Sequence, residues 1–296
     1  MLPLLLALAT ATTPAPPPDE TPIRCSHCDE WNAPQAPFRL FGNSWYVGVA
    51  GLSSVLIDSG DGLILLDGDL PQSAEGIAAH VRALGHDVRD IRWILASHGH
   101  FDHVGGIAAL QRMSGARVAA SPKTAQALRA GSPVADDPQL GYHGTFPPVQ
   151  AVVPVADGGT ITLGDVVVTA HLTPGHTPGA TTWSWRSCEG TRCLDLVYAD
   201  SVNAISADGF RYDADPARVA AFRHGLDVLR ALPCDILVTV HPGTSNLFER
   251  LAAREAGNAD ALVDPTACRA YADGGRRGLD ARLQDEAAPT ASAASH

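Results

Sequence analysis

The chain has 296 residues, of which 45% are hydrophobic and 18% are charged, and its formal net charge at pH 7 is −11. This hydrophobic content supports a substantial core and excludes an intrinsically disordered protein. The negative charge argues against nucleic acid or an anionic membrane as the partner, because both bind basic surfaces. The length suits one large α/β domain.

The first residues are typical of a leader that is removed on export. Met1–Ala15 is apolar and then rich in small residues, and the run Pro16–Pro18 follows. This order resembles a secretory signal peptide that lacks the usual basic segment. We therefore expect residues 1–18 to be a signal peptide and leader, residues 19–37 to be an N-terminal extension, and the protein to be periplasmic or secreted. No stretch after the leader is predicted to span a membrane.

The first half of the chain predicts a β-meander followed by alternating helices and strands. Its predicted strands are residues 38–41, 44–49, 52–58, 63–66, 91–96 and 117–120, and its predicted helices are 71–84, 104–113 and 122–129. Residues 131–148 hold many Gly and Pro residues without a clean period. Loops of this length are usually functional or mobile, so this one is a candidate flap over a site.

The second half repeats the order of strands followed by helices. Its predicted strands are residues 152–155, 160–163, 166–172, 181–185, 194–199 and 236–240, and its predicted helices are 216–232 and 265–284. Two such halves predict two facing sheets with helices outside. We expect a single domain over residues 38–285, because neither half alone supplies a complete ligand set, and a disordered tail over 286–296.

A dense group of metal-ligand residue types follows the predicted strand 91–96. The sequence Ser-His-Gly-His-Phe-Asp-His-Val-Gly-Gly places His98, His100, Asp102 and His103 within six positions. Imidazole and carboxylate suit borderline cations such as Zn²⁺. A histidine-rich surface loop is the alternative, but four such groups on a strand-to-helix loop favour a metal site.

Further candidate ligands also follow predicted strands. His176 lies in Thr-Pro-Gly-His-Thr-Pro-Gly, His241 follows Val240, and Asp200 follows the strand 194–199. The two histidines bring the set to six without Asp200, and six ligands divide into two three-ligand sites with open positions for water. Whether Asp200 also touches a metal stays open. Asp67 either orients a metal-bound histidine from outside or is a turn or helix-cap residue.

Six cysteines fit an oxidising destination, and sequence alone allows fifteen pairings. They are Cys25, Cys28, Cys188, Cys193, Cys234 and Cys268. Cys25 and Cys28 flank His27 in a C-x-x-C pattern, which could be half of a zinc knuckle or a redox pair. Because there is no second C-x-x-C, we favour a local disulfide or an unrelated pairing.

Taken in order, H-x-H-x-D-H, T-P-G-H-T-P-G, A-D-S and H-P resemble the metallo-β-lactamase superfamily. Within it, the chain resembles class B metallo-β-lactamases of the third subclass, whose metal ligands are all His or Asp. The resemblance runs from about Phe38 to Ala272 and implies an α/β fold, the four-layered αββα sandwich. It also implies disulfides between Cys234 and Cys268 and between Cys188 and Cys193.

The resemblance assigns roles to the candidate residues. It implies two Zn²⁺ ions per chain. The first is held by His98, His100 and His176. The second is held by Asp102, His103 and His241. Asp102 would also orient the attacking hydroxide. The remaining implied roles are substrate contacts, at Ser201, Asn203 and Gln139.

The implied activity is hydrolysis of the ring amide of penicillins, cephalosporins and carbapenems by a metal-bound hydroxide, which confers antibiotic resistance. We expect a monomer that acts on this small-molecule substrate. One alternative is a thioesterase of the hydroxyacylglutathione hydrolase type, or a lactonase, on the same fold. Those enzymes use a bridging Asp after the corresponding strand, and Asp200 lies there, one residue from Ser201. A non-catalytic metal-binding protein is less favoured, because structural zinc sites are usually closed and rich in cysteine.

Overall fold

Two β-sheets face each other in the described part of this computed structural model, which comprises residues 19, 21–142 and 144–288. The first sheet contains β1 (Phe38–Phe41), β2 (Ser44–Tyr46), β3 (Val55–Asp58), β4 (Leu63–Leu66), β5 (Ile91–Leu95), β6 (Arg117–Ala120) and β7 (Val152–Pro154). The second contains β8 (Thr160–Leu163), β9 (Val166–Leu172), β10 (Thr181–Glu189), β11 (Arg192–Ala199) and β12 (Ile236–Thr239). The predicted signal peptide lies outside the described residues.

The helices are α1 (Cys28–Trp31), α2 (Ala74–Ala83), α3 (Phe101–Val104), α4 (Ile107–Ser114), α5 (Pro122–Ala130), α6 (Pro216–Ala231), α7 (Leu247–Glu255) and α8 (Ala267–Ala287). Buried side chains of α2, α4 and α5 pack on the outer face of the first sheet. Those of α6 and α8 pack on the outer face of the second. The predicted αββα sandwich is therefore confirmed.

The first sheet brings the ends of β4 and β5 together. Its strands lie in chain order, with β1 to β4 antiparallel and β4 to β7 parallel. Leu66 pairs with Leu95, so β4 and β5 end side by side. Residues that follow parallel strands share one edge of a sheet. Asp67 and the histidine-rich loop that begins at Ser97 therefore meet there.

The second sheet, ordered β12-β11-β10-β9-β8, presents its own polar residues at the same edge. Its β11 and β12 are parallel, and Ala199 pairs with Thr239 just before Asp200 and His241. The connection from β9 to β10 carries His176. Each of these residues is placed by the end of a strand rather than by a helix.

The inner core joins the sheets with large buried side chains. Side chains of β11 alternate as the pleat requires, because Tyr198 faces the inner core and Val197 faces the helices. Trp183 of β10 is fully buried and donates its indole N–H to the carbonyl of Ala96 at 3.1 Å. The two sheets are thus linked beside the loop that carries His98.

The structure differs from the sequence-based prediction at four helices. Helix α3 begins before the predicted helix 104–113, and α4 forms most of that predicted helix. The prediction omitted α1 and α7, which are short and bury few side chains, such as Leu247 and Leu251 of α7. Helix α8 continues through Ala287, so the first residues of the expected disordered tail at 286–296 are helical. Glu286 accepts hydrogen bonds from the backbone of Tyr212 and from Arg282, which stabilises this helical end.

All six cysteines are paired in the described chain. The pairs are Cys25–Cys28, Cys188–Cys193 and Cys234–Cys268. The local disulfide at Cys25–Cys28 uses both thiols that a zinc knuckle would need. Such a disulfide set indicates an oxidising compartment. No helix in the described ranges is long and apolar enough to cross a membrane.

The disulfides should stabilise the fold according to the length of the loop they close. Replacing Cys234 and Cys268 by Ser should lower the free energy of unfolding by about 4 kcal/mol, because the pair spans 34 positions. The matched Cys188→Ser, Cys193→Ser variant, with a span of 5, should lose about 2 kcal/mol. Urea unfolding curves measure both losses, and equal losses would contradict this order.

Candidate metal centre

A buried carboxylate fixes the start of the histidine-rich loop. Asp67 accepts hydrogen bonds from the backbone N–H of Ser97 at 2.7 Å and from its hydroxyl at 2.6 Å. Tyr198 of the second sheet donates to the same carboxylate at 2.8 Å. Burial raises the pKa of Asp67 to about 7, although the charge of His103 and these three donors lower it. Asp67 therefore positions the loop through Ser97 and makes no hydrogen bond of its own to a described histidine.

Three histidines form the first triad of candidate ligands. His98, His100 and His176 each place one ring nitrogen so that the three nitrogens lie within 4.8 Å of one another. All three side chains are buried. The first two come from the loop after β5, and His176 comes from the connection between β9 and β10. The two sheets together therefore build this group.

A carboxylate and two histidines form the second triad. Asp102 Oδ2 lies 3.1 Å from His103 Nε2 and 3.5 Å from His241 Nε2. The rings of His98 and His103 are 4.4 Å apart between centroids, so the triads are adjacent. The structure thus gathers all six predicted ligands into the two predicted groups.

In three of the histidines, one of the two ring nitrogens contacts a group outside the triads. Asp200 Oδ1 lies 2.7 Å from His98 Nδ1, and both oxygens of Asp137 lie 3.2 Å from His100 Nε2. The carbonyl of Gly51 lies 3.1 Å from His241 Nδ1. Such partners fix the tautomer and orientation of a ligand ring. They leave the second nitrogen as the atom for a metal.

Asp200, whose contact with a metal the sequence left open, faces His98 and two backbone N–H groups. Its carboxylate also accepts hydrogen bonds from the backbone N–H groups of Thr181 and Ser201, at 3.1 and 2.6 Å. Asp200 therefore lies behind His98 rather than between the triads. Asp137, by contrast, was missed by the sequence interpretation. It lies in the loop 131–148, where no spacing relates it to the ligands.

The triads fit a divalent metal ion. His98 Nε2, the nitrogen that faces away from Asp200, is buried and has no hydrogen-bond partner among the described residues. Burial holds the pKa of His98 and of His176 well below the usual range, which keeps both rings in the neutral form that a metal requires. Burial opposes ionisation of Asp102, but the neighbouring His103 and His241 hold its pKa well below the usual range. Imidazole with carboxylate is a ligand set that zinc takes.

The triads lie in a cavity of 630 Å³. Side chains of both triads line it, together with Gln139 and Tyr142 of the loop 131–148 and with Asn203 and Ile205. The amide Nε2 of Gln139 lies 3.2 Å from His176 Nε2, directly beside the first triad. Two of the three predicted substrate contacts, Gln139 and Asn203, therefore line the cavity. Ser201 is buried and lies outside its lining.

Comparisons with known proteins agree with this architecture. The family model of the metallo-beta-lactamase superfamily matches residues 43–241. The structure of Rm3 metallo-beta-lactamase is 51% identical, has a TM-score of 0.87, and is matched over 89% of this chain and 99% of that chain. MEM-A1, a subclass B3 metallo-beta-lactamase from a soil metagenome library, is 46% identical with a TM-score of 0.84, over 87% of this chain and 98% of that one.

A hydroxyacylglutathione hydrolase of Anaeromyxobacter dehalogenans (strain 2CP-C) is 32% identical over 178 residues, which are 60% of this chain. The chain spans only 53% of the length of that relative. These two metallo-beta-lactamase structures are matched over nearly their whole length and at higher identity. The chain therefore belongs to the metallo-beta-lactamase superfamily, within which it groups with subclass B3.

Proposed function

We propose that this protein is a zinc-dependent β-lactamase, which hydrolyses the ring amide of β-lactam antibiotics with two Zn²⁺ ions per chain and so confers resistance. The observation that carries the proposal is the pair of adjacent three-ligand groups in an open cavity. The high identity to the metallo-beta-lactamase structures, one of them from subclass B3, supports the choice of substrate. Three ligands per ion leave positions for water and substrate, which a purely structural zinc site does not.

The chain supplies the ligands and their orientation. His98, His100 and His176 would hold the first zinc ion, and Asp102, His103 and His241 the second. When bound, zinc polarises a carbonyl group and makes hydroxide available near neutral pH. The reaction adds water to the ring carbonyl carbon, breaks the C–N bond and leaves a carboxylate and a protonated ring nitrogen.

Asp102 has a second role in this chemistry. Its carboxylate is ionised, and it lines the cavity. An ionised carboxylate there can accept a hydrogen bond from the attacking water and hold its oxygen toward the carbonyl carbon. This orientation, rather than a covalent intermediate on the protein, is what the chain contributes to attack.

Polar groups of two loops would hold the substrate. Gln139 and Asn203 present amides to the cavity, which can bind the substrate's carbonyl and carboxylate oxygens. Ser201 is buried, so it would act by shaping the loop that carries Asn203. A cavity of 630 Å³ is within the usual range for drug-sized ligands.

Thioester hydrolysis is the competing proposal, because a hydroxyacylglutathione hydrolase is among the relatives. In enzymes of that type, an Asp after the corresponding strand bridges the metals, and Asp200 is the Asp that follows this strand here. Here the Asp200 carboxylate is occupied by His98, Thr181 and Ser201. This arrangement favours β-lactam hydrolysis over the thioesterase.

We further propose that the protein works in the periplasm or is secreted. The three disulfides support an oxidising location. A signal peptide over residues 1–18 would provide the route.

The activity itself is the first test. Purified protein should hydrolyse a carbapenem and a cephalosporin, and removal of metal by a chelator should abolish hydrolysis until zinc is restored. Loss of the β-lactam absorbance band measures the rate. Hydrolysis that survives complete metal removal would exclude the zinc mechanism, and turnover of glutathione thioesters without turnover of β-lactams would favour the thioesterase.

The assignment of ligands to two ions makes a separate prediction. His241→Ala should remove one of two zinc ions and leave the other, because only the second triad loses a donor. Metal analysis after dialysis measures the zinc content per chain. Equal loss of both ions would contradict the division into two triads.

The partners outside the triads should control metal affinity. Asp200→Asn should weaken zinc binding by about 10- to 100-fold, because His98 loses the charge that orients its ring. Competition with a chromophoric chelator measures the affinity. Asp195→Asn is the matched control, since Asp195 lies on β11, the strand that Asp200 follows, and is 3.7 Å from Arg186 in a partly exposed ion pair. An equal effect of the two substitutions would remove Asp200 from the metal centre.

A further inference from the structure

The segment of residues 23–31, which we call the N-terminal wall, forms one side of the metal cavity. Residues 23–27 and Trp31 line this cavity together with ligands of both triads. The segment precedes β1 and belongs to the expected N-terminal extension. The proposed function gives it no role.

The N-terminal wall is held at both sides of Arg24. On one side, the backbone of Ile23 exchanges two hydrogen bonds with the amide of Gln72, at 3.1 and 2.9 Å. On the other side, the disulfide ties the exposed Cys25 to Cys28, which is only 2% exposed and packs in the outer core. The backbone of Arg24 is therefore fixed although its side chain is exposed.

Trp31 anchors the end of the wall beside the second triad. Its carbonyl accepts a hydrogen bond from Gly51 at 2.9 Å, and its ring lies 5.3 Å from the ring of His241. A Cβ at position 51 would lie 2.6 Å from Trp31 Cα, so this approach needs a glycine. The carbonyl of the same Gly51 lies 3.1 Å from His241 Nδ1. The wall is thus placed relative to the metal ligands.

Arg24 brings a permanent positive charge to the cavity. Among the described lining residues, it is the only Lys or Arg. No carboxylate of the described ranges lies within ion-pair distance of its guanidinium. A chain with a net charge of −11 repels anions at long range, so a local cation matters for an anionic substrate. A guanidinium can also bind a carboxylate with two parallel hydrogen bonds, in bidentate geometry.

We propose that Arg24 is a specificity-determining residue, which attracts an anionic side group of the substrate, and that the Cys25–Cys28 disulfide positions it. This inference rests on the proposed β-lactamase function. It predicts a preference among β-lactams that share one ring system but differ in the charge of the side group. The carboxylate on the ring system is common to them and does not distinguish them.

Benzylpenicillin and its α-carboxy derivative carbenicillin are a suitable pair, because they differ by one side-group carboxylate. Arg24→Gln should lower kcat/KM for carbenicillin about three- to fivefold relative to benzylpenicillin, the range expected for an exposed ion pair. The lower kcat/KM should come from a higher KM. In 0.5 M salt the difference between wild type and variant should shrink, because salt screens the attraction between Arg24 and the side-group carboxylate in the wild-type enzyme. Arg186→Gln is the matched control, since it removes the same charge from β10 outside the cavity lining.

The disulfide has its own matched pair of variants. Cys25→Ser with Cys28→Ser should reduce the carbenicillin preference toward that of Arg24→Gln at unchanged zinc content, whereas Cys188→Ser with Cys193→Ser should leave it unchanged. A preference unaffected by Arg24→Gln, in an enzyme that hydrolyses both penicillins, overturns the inference alone. A wild-type enzyme that hydrolyses neither overturns both proposals. A preference lost with Arg24→Gln but kept without Cys25–Cys28 overturns only the role of the disulfide.

Discussion

The metal centre depends on one buried carboxylate that joins the two sheets. Asp67 is fully buried, and its oxygens accept hydrogen bonds from Ser97 of the first sheet's edge and Tyr198 of the second sheet. Burying a carboxylate costs folding free energy unless it is hydrogen-bonded. Asp67 therefore needs these donors, and the buried donors need an acceptor such as Asp67. The interaction fixes both the spacing of the sheets and the start of the loop that carries four ligands. Every other ligand contact builds on that fixed edge.

Around this edge, the candidate ligands form an inner layer, and the groups that contact their other ring nitrogens form an outer layer. The two layers come from different kinds of chain segment. Four of the six candidate ligands follow the ends of strands β5, β9 and β12, and the other two, Asp102 and His103, lie in the short helix α3. The groups that hold their outer nitrogens come mostly from loops, such as Asp137 and the carbonyl of Gly51. The metal centre needs fixed distances between six ligand atoms. Loop residues can support these atoms only where hydrogen bonds hold the loops in place.

This difference in origin explains what could be predicted from the sequence. His98, His100, Asp102 and His103 lie so close together in the chain that local spacing identifies them, and His176 and His241 lie in rigid Gly- and Pro-framed turns. The sandwich followed from the order of strands and helices. Asp137 could not be found in this way, because its contact with His100 depends on the path of a long loop. The burial of Ser201 and the position of the Cys25–Cys28 turn likewise depend on three-dimensional packing.

Metal binding and substrate choice depend on different parts of the molecule, the strand ends and the N-terminal wall. Moving any strand end would disturb both sheets, because the ligands are shared between them through buried contacts such as Trp183 with Ala96. The N-terminal wall touches the cavity from outside the sheets and is held by its own disulfide and by Gln72. Changes in the wall can therefore alter what enters the cavity at little cost to the metal centre. A short, cross-linked segment is a suitable place for specificity for that reason, since it is rigid without being part of the core.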